Sequence, residues 1–213
     1  MAYRRTERVL HRLAARHAAI IAAAGELASE AGLDAVQIVP VAARAGIAAG
    51  TVYRYFPSKT ELVSALVTGV AEREVAAVRL AASAAPGPLS ALAAAIVSFA
   101  ARAARQRRLA SALLVEPIET REETAGLPYR RALAAELEPR IRAAIAGGHL
   151  PEQDTARAAA AVVGLLIEAL LGPLAAEPAR REDVQVVALL ALRALGVIDA
   201  RARGLVVQAA WPD

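Results

Sequence analysis

The chain has no cysteine, one methionine, one tryptophan and a single lysine, and aromatic residues make up only 3% of its 213 positions. Without cysteine there is no disulfide and no thiolate metal site, which suits a reducing compartment. Three histidines and no cysteine are poor material for a metal centre. The longest uninterrupted apolar run, Ala158–Ile167, is closed off by Arg157 and Glu168 and falls far short of the roughly 20 residues of a spanning helix. The start, Met1-Ala-Tyr-Arg-Arg-Thr6, has no apolar stretch of signal-peptide length, although an Arg-rich, acid-poor start is also what a mitochondrial presequence carries. The expectation is a soluble, cytoplasmic protein without a membrane segment. Glycine-rich phosphate loops, Gly-x-Ser-x-Gly and His-Glu-x-x-His are missing too, so the expectation is no enzyme and no cofactor.

What remains is mostly alanine, leucine, valine and arginine. Hydrophobic residues reach 57% and charged ones 22%, a globular balance. Alanine is the strongest helix former, and no segment alternates as a strand does, so the fold class is all-α. Periodicity and capping signals predict helices at about 18–31, 39–45, 49–55, 58–83, 89–105, 108–116, 125–146, 152–172, 180–195 and 199–209. Gly32, Gly46, Pro57, Ala84-Ala85-Pro86-Gly87-Pro88, Pro117, Gly147-Gly148 and Gly172-Pro173 punctuate them. Ser58-Lys59-Thr60-Glu61 reads as a capping box.

The scarce residues cluster. Tyr53, Tyr55, Phe56 and the only lysine, Lys59, fall within seven positions. Charge is equally uneven: residues 1–60 hold eight Lys/Arg against four Asp/Glu, and the rest of the chain holds seventeen of each. A positive excess confined to one end is the electrostatic footprint of a polyanion partner. There, a helix, a short helix, a glycine turn and a second short helix make a helix-turn-helix pattern at about 37–56, whose second short helix enters the DNA major groove. On residues 49–55, Val52 and Phe56 point inward, while Thr51, Arg54 and Tyr55, with Tyr53 beside them, offer hydroxyls and a guanidinium for phosphates and base edges.

Residues 20–66 resemble the N-terminal domain of TetR-family transcriptional regulators. The resemblance is carried by Ala42-Ala43-Arg44-Ala45-Gly46 and Gly50-Thr51-Val52-Tyr53-Arg54-Tyr55-Phe56-Pro57-Ser58-Lys59. It implies an N-terminal three-helix DNA-binding domain (14–74), preceded by a basic arm (1–13) and followed by a larger helical ligand-binding and dimerisation domain (75–213). It further implies that Thr51, Tyr53 and Lys59 meet phosphates, that Tyr55 sits in the groove, that Gly50 permits close approach, and that Arg44 reaches a phosphate or a base. Gln37 and Ala48 depart from the family's usual Ser or Thr caps. The arm, with Arg4, Arg5, Arg8, Arg12 and Arg16, is expected along the minor groove or backbone.

For the remainder, the resemblance implies a homodimer through about 152–172 and 180–195 that reads a palindromic operator in double-stranded DNA. It also implies an apolar small-molecule effector among the middle helices, with Phe99, Arg102, Glu116, Tyr129 and Glu168 as candidate contacts. An arginine at the mouth of an apolar cavity would suit a hydrophobic acid or acyl thioester. The expected function is a ligand-responsive repressor; the alternative is a helical small-molecule sensor that has lost specific DNA binding.

Overall fold

A computed structural model describes residues 2–115, 127–173, 175 and 180–211, with the backbone alone for 2–8 and 127. Among these residues the chain is all-helical: α1 (Ala2–Ala31), α2 (Ile38–Arg44), α3 (Ala49–Tyr55), α4 (Lys59–Ser83), α5 (Pro88–Arg105), α6 (Arg107–Leu114), α7 (Leu127–Ala146), α8 (Thr155–Leu171), α9 (Arg181–Ala194) and α10 (Asp199–Gln208), with a 3-10 turn at Leu33–Ala35 between α1 and α2.

The largest departure from the sequence reading is at the start. The first helix begins at Ala2 rather than near residue 18. Its first buried side chain is Ile20, and every described side chain from Val9 to Ala19 is exposed. Apolar periodicity marks only the part of a helix that packs; Ala, Arg and Leu continue it on propensity alone.

Two hydrophobic cores share the molecule. The smaller joins Ile20, Val36, Val41, Val52, Leu62 and Leu66, and takes Leu109 and Leu113 from α6. The larger is built around α5, where every residue from Leu92 to Ala101 is buried. The sequence reading assigns 152–172 and 180–195 to a homodimer surface, and the helix enclosed within the chain is α5. Those two helices each keep an exposed face. Pro88 opens α5, where its missing N–H costs nothing, and Ser90 Oγ accepts from the Gly87 N–H at 3.0 Å.

α4 belongs to both cores. Leu62, Val63, Leu66, Val67 and Val70 lie in the smaller, and Ala71, Val75, Val78 and Ala82 in the larger. Ser58 caps its start, accepting from the Glu61 N–H at 3.1 Å. Arg79 of α4 pairs with Glu136 of α7, which also receives Arg140.

The turn between α2 and α3 depends on Gly46, at φ +65°. The Gly46 N–H donates to the Ala43 carbonyl and the Ile47 N–H to the Ala42 carbonyl (3.2 and 3.0 Å), which satisfies the last carbonyls of α2. A Cβ there has room but strains the backbone. Gly46→Ala is expected to lower unfolding free energy by about 1–2 kcal/mol in urea titration. An unchanged midpoint would show that the turn tolerates a side chain.

Candidate nucleic-acid interface

α2 and α3 are held by their inward faces. Ile38, Val41 and Ala42 of α2 and Val52 of α3 are buried, and Phe56 closes the unit as α3 ends. With Val52 fixed inward, helical spacing turns Gly50, Tyr53 and Arg54 outward together. All three are exposed, Tyr53 at 53%. Thr51 is half-buried at the start of α3. A Cβ built at Gly50 would meet nothing within 4 Å, so no neighbour inside the chain requires a glycine there. Lys59 is the first residue of α4, directly after the Ser58 cap.

Tyr55 sits differently. It is half-buried against the smaller core, and its ring lies 6.4 Å from that of His17 on α1. The His17 ring is also 4.9 Å from Phe56. Nothing in the sequence pointed to His17; its partners become visible only once α1 crosses the end of α3.

Arg44 is held on α1. Its Nη2 meets Glu30 Oε2 at 2.7 Å and its Nη1 meets Glu30 Oε1 at 2.8 Å and Glu26 Oε2 at 3.2 Å. The hydrogen bonds from Arg44 keep the Glu30 carboxyl below its ordinary range, and Glu30 in turn raises the guanidinium. A depressed carboxylate pKa means the pair is intact at neutral pH and is lost only as pH falls through the depressed value. In this conformation the Arg44 guanidinium ties α2 to α1. Glu26 and Glu30, four apart on one helical face, were the available signal for this clamp.

Neither short helix has a side-chain N-cap. Gln37 is extended (φ −114°, ψ 149°), but its Nε2 donates back to the Asp34 carbonyl at 3.0 Å. Ala48 has a cap's backbone (φ −71°, ψ 145°) and a methyl group where an oxygen would accept an N–H. Ala48→Ser therefore is expected to raise stability by about 0.5–2 kcal/mol in chemical denaturation. A neutral or negative change would show that the first-turn N–H groups of α3 gain nothing from a local acceptor.

Farther along, three of the five candidate effector residues come together. Phe99 and Arg102 are one turn apart on α5, and Tyr129 of α7 is buried at 4% exposure. Arg102 is clasped by Glu74 of α4, its Nε and Nη2 meeting the two carboxylate oxygens at 2.6 and 2.8 Å. Burial pushes the Tyr129 phenol above its ordinary range, and the nearby Glu74 charge adds to that. Glu74, Arg102 and Tyr129 line a cleft of about 280 Å³ and Phe99 lines an apolar recess of about 210 Å³, both volumes counting space open to solvent. Glu168 joins neither; it is exposed on α8 and folds over Gly172. Glu116 lies outside the described residues. Glu74 went unnoticed in the sequence because Glu72-Arg73-Glu74 reads as a solvated helix face.

Known proteins share parts of this arrangement. Residues 20–66 match the sequence pattern of bacterial regulatory proteins of the tetR family. A 52-residue segment is 56% identical to the HTH-type transcriptional repressor KstR of Rhodococcus jostii, covering 24% of each chain. Residues 20–66 are therefore a tetR-family N-terminal segment. The aligned segment spans about a quarter of the curated relative's length. The fold likeness runs much farther. The structure of RolR in complex with resorcinol aligns with a TM-score of 0.68 over 96% of this chain and 98% of that one, at 23% identity. FadR of Bacillus subtilis in complex with stearoyl-CoA aligns with a TM-score of 0.72 over 84% and 98%, at 20% identity. Among the described residues, no helix is long and apolar enough to cross a membrane.

Proposed function

We propose that the protein is a ligand-responsive transcriptional repressor that binds a palindromic operator as a homodimer. The observation that carries this reading is the outward face of α3. Gly50, Tyr53 and Arg54 lie exposed on a helix whose other side is locked into a core, with Lys59 at the next helix start. In this reading residues 14–74 form the DNA-binding unit and 75–213 the ligand-binding and dimerisation unit. Thr51, Tyr53 and Lys59 hold phosphates, and Arg54 reads a base edge. Gly50 clears the backbone for close approach, and Tyr55 supports the head from behind. Arg44 joins the contact only if its clamp on Glu26 and Glu30 opens. The helical extension of α1, with Arg12 and Arg16 exposed, runs along the DNA backbone. The site of action is the cytoplasm, and the role is binding rather than catalysis.

A second copy is the natural cover for the outer face of α8 and α9. Ala160, Ala161 and Gly164 are exposed on α8, and a Cβ at Gly164 would meet nothing within 4 Å. Val186 and Leu190, one turn apart on α9, remain 54% and 45% exposed. Small residues beside unpaired apolar ones allow close helix packing, and a two-fold dimer matches a two-fold operator. Gly164→Trp is expected to convert the dimer to monomer in sedimentation while preserving helix content; a dimer that survives would place the interface elsewhere.

The relatives support the regulatory reading. KstR is named a repressor, and the RolR and FadR structures were determined with resorcinol and stearoyl-CoA bound. In this chain α6 links the parts such a response would have to connect. Arg107 Nε donates to the Leu170 carbonyl of α8 at 3.1 Å, and Arg108 donates to the Glu30 carbonyl of α1. The uncapped Gln37 and Ala48 favour the second reading, a sensor without specific DNA binding.

Selection on random DNA fragments at about 150 mM salt separates the two. A repressor enriches a two-fold palindrome and binds it roughly 10³-fold or more above random sequence. A sensor shows only weak, salt-sensitive retention. With the operator in hand, Tyr53→Ala and Lys59→Ala are expected to weaken binding to all sequences alike, whereas Arg54→Ala relaxes preference at one base pair per half-site. Preference unchanged in Arg54→Ala would move readout to DNA shape.

A further inference from the structure

The cleft beside Arg102 and the cavity behind Phe99 are built from consecutive turns of the same three helices. Glu74 of α4 lines the first and Val78 the second; Arg102 and Phe99 of α5 follow suit, as do Tyr129 and Leu133 of α7. Residues three or four apart stack along one helix face, so the two spaces lie end to end in a single groove. The two spaces share no lining residue, so one molecule spanning both must part the side chains between them. The ends differ chemically. Every side chain around the inner cavity is apolar, with Ile96, Leu137 and Val163 among them. Among the described lining residues, the polar side chains all lie in the outer cleft: Glu74, Arg102, Gln106 and Tyr129.

The charge at the polar end is already cancelled. Glu74 holds Arg102 through a two-point clasp, with the two side chains only 15% and 21% exposed. Among the described residues lining the cleft an incoming carboxylate would find no unpaired cation, and it would face the Glu74 carboxylate at close range, in a setting where screening is weak. What the cleft offers instead are neutral hydrogen-bonding groups. The Tyr129 hydroxyl makes no hydrogen bond to any described residue, and burial keeps it a protonated phenol. The Gln106 amide is exposed at the opening.

We propose that this groove takes one elongated molecule with an apolar body and an uncharged hydrogen-bonding head, an alcohol, phenol or ketone, rather than an acid. The body fills the cavity beside Phe99 and the head meets Tyr129, Gln106 and the outer edge of the Glu74–Arg102 clasp. This rests on the reading that the middle helices hold the effector, and it changes the hydrophobic-acid expectation that an unpaired arginine would have supported. The outer cleft is also lined by Val70, Leu109 and Leu113, which belong to the smaller core. A bound head group therefore touches both cores at once.

The test is isothermal calorimetry on the full chain without DNA, using 4-octylphenol, 4-octylbenzoate and unsubstituted phenol at pH 7. The expected order is octylphenol tightest, octylbenzoate weaker by roughly tenfold or more, and phenol weaker still because it leaves the inner cavity empty. Glu74→Gln unpairs Arg102 and is expected to reverse the preference toward octylbenzoate. Tyr129→Phe, which keeps the ring, is expected to weaken octylphenol by roughly tenfold and keeps the test alive should Glu74→Gln fail to fold. The proposal is overturned if octylbenzoate binds the wild type as tightly as octylphenol, if phenol matches octylphenol, or if none of the three binds. Because DNA is absent, octylphenol binding by a protein that enriches no operator would sink the repressor reading and leave the ligand class standing. Operator enrichment without binding of any probe would do the opposite.

Discussion

One uninterrupted helix, α4, is shared by two hydrophobic cores, and the rest of the molecule is arranged around that fact. Its first half is locked among α1, α3 and the 3-10 turn, and its second half against α5 and α7. A helix with its hydrogen bonds intact is a stiff rod, so Val75 and Val78 in the larger core and Leu62 in the smaller are held at a fixed spacing. Glu74 sits near the crossing point between the two cores. Its clasp on Arg102 is part-buried, a setting in which removing one partner is far costlier than the pair's net contribution. The inward side of α3 and the cleft therefore both pack against one element.

The second tie runs through α6. Two adjacent arginines face opposite ways, one to the C-terminal end of α8 and the other to the C-terminal end of α1. Helix C-terminal carbonyls are the unsatisfied, partly negative ends of their helices, so a guanidinium is the natural partner for each. Leu109 and Leu113 place the same short helix in the smaller core, while its Ala110 lines the cleft. Neighbouring side chains on a single two-turn helix thus reach α8, α1, the cleft and the smaller core.

Much of the fold could be read directly from the residues. Helix ends at Gly32, Gly46, Gly87-Pro88 and Gly147-Gly148 are local chemistry, set by positive φ and by the missing proline N–H, and they fall where the turn residues stand. The inward pair Val52 and Phe56 followed from helical spacing alone, because Ala48-Ala49 and Pro57 leave α3 only one register. The start of α1 was missed because its first half packs on nothing. The enclosure of α5 was missed because a short alanine-rich run reads the same whether four neighbours surround it or one.

The division between sequence and tertiary structure follows the range of the forces. Local propensity, capping chemistry and the clustering of rare aromatic and basic residues between Gly50 and Lys59 settle the helix order and the tetR-family head, since each acts within a few residues. Pairing across the fold does not: Arg44 to Glu30, Arg102 to Glu74, and His17 to Phe56 join residues 14, 28 and 39 positions apart. In the sequence each looks like a solvated charge or a stray ring. Only packing, which brings α1 across α2 and lays α4 on α5, decides that one arginine becomes a clamp, another a neutralised clasp, and a buried tyrosine the hydrogen-bonding group beside that clasp.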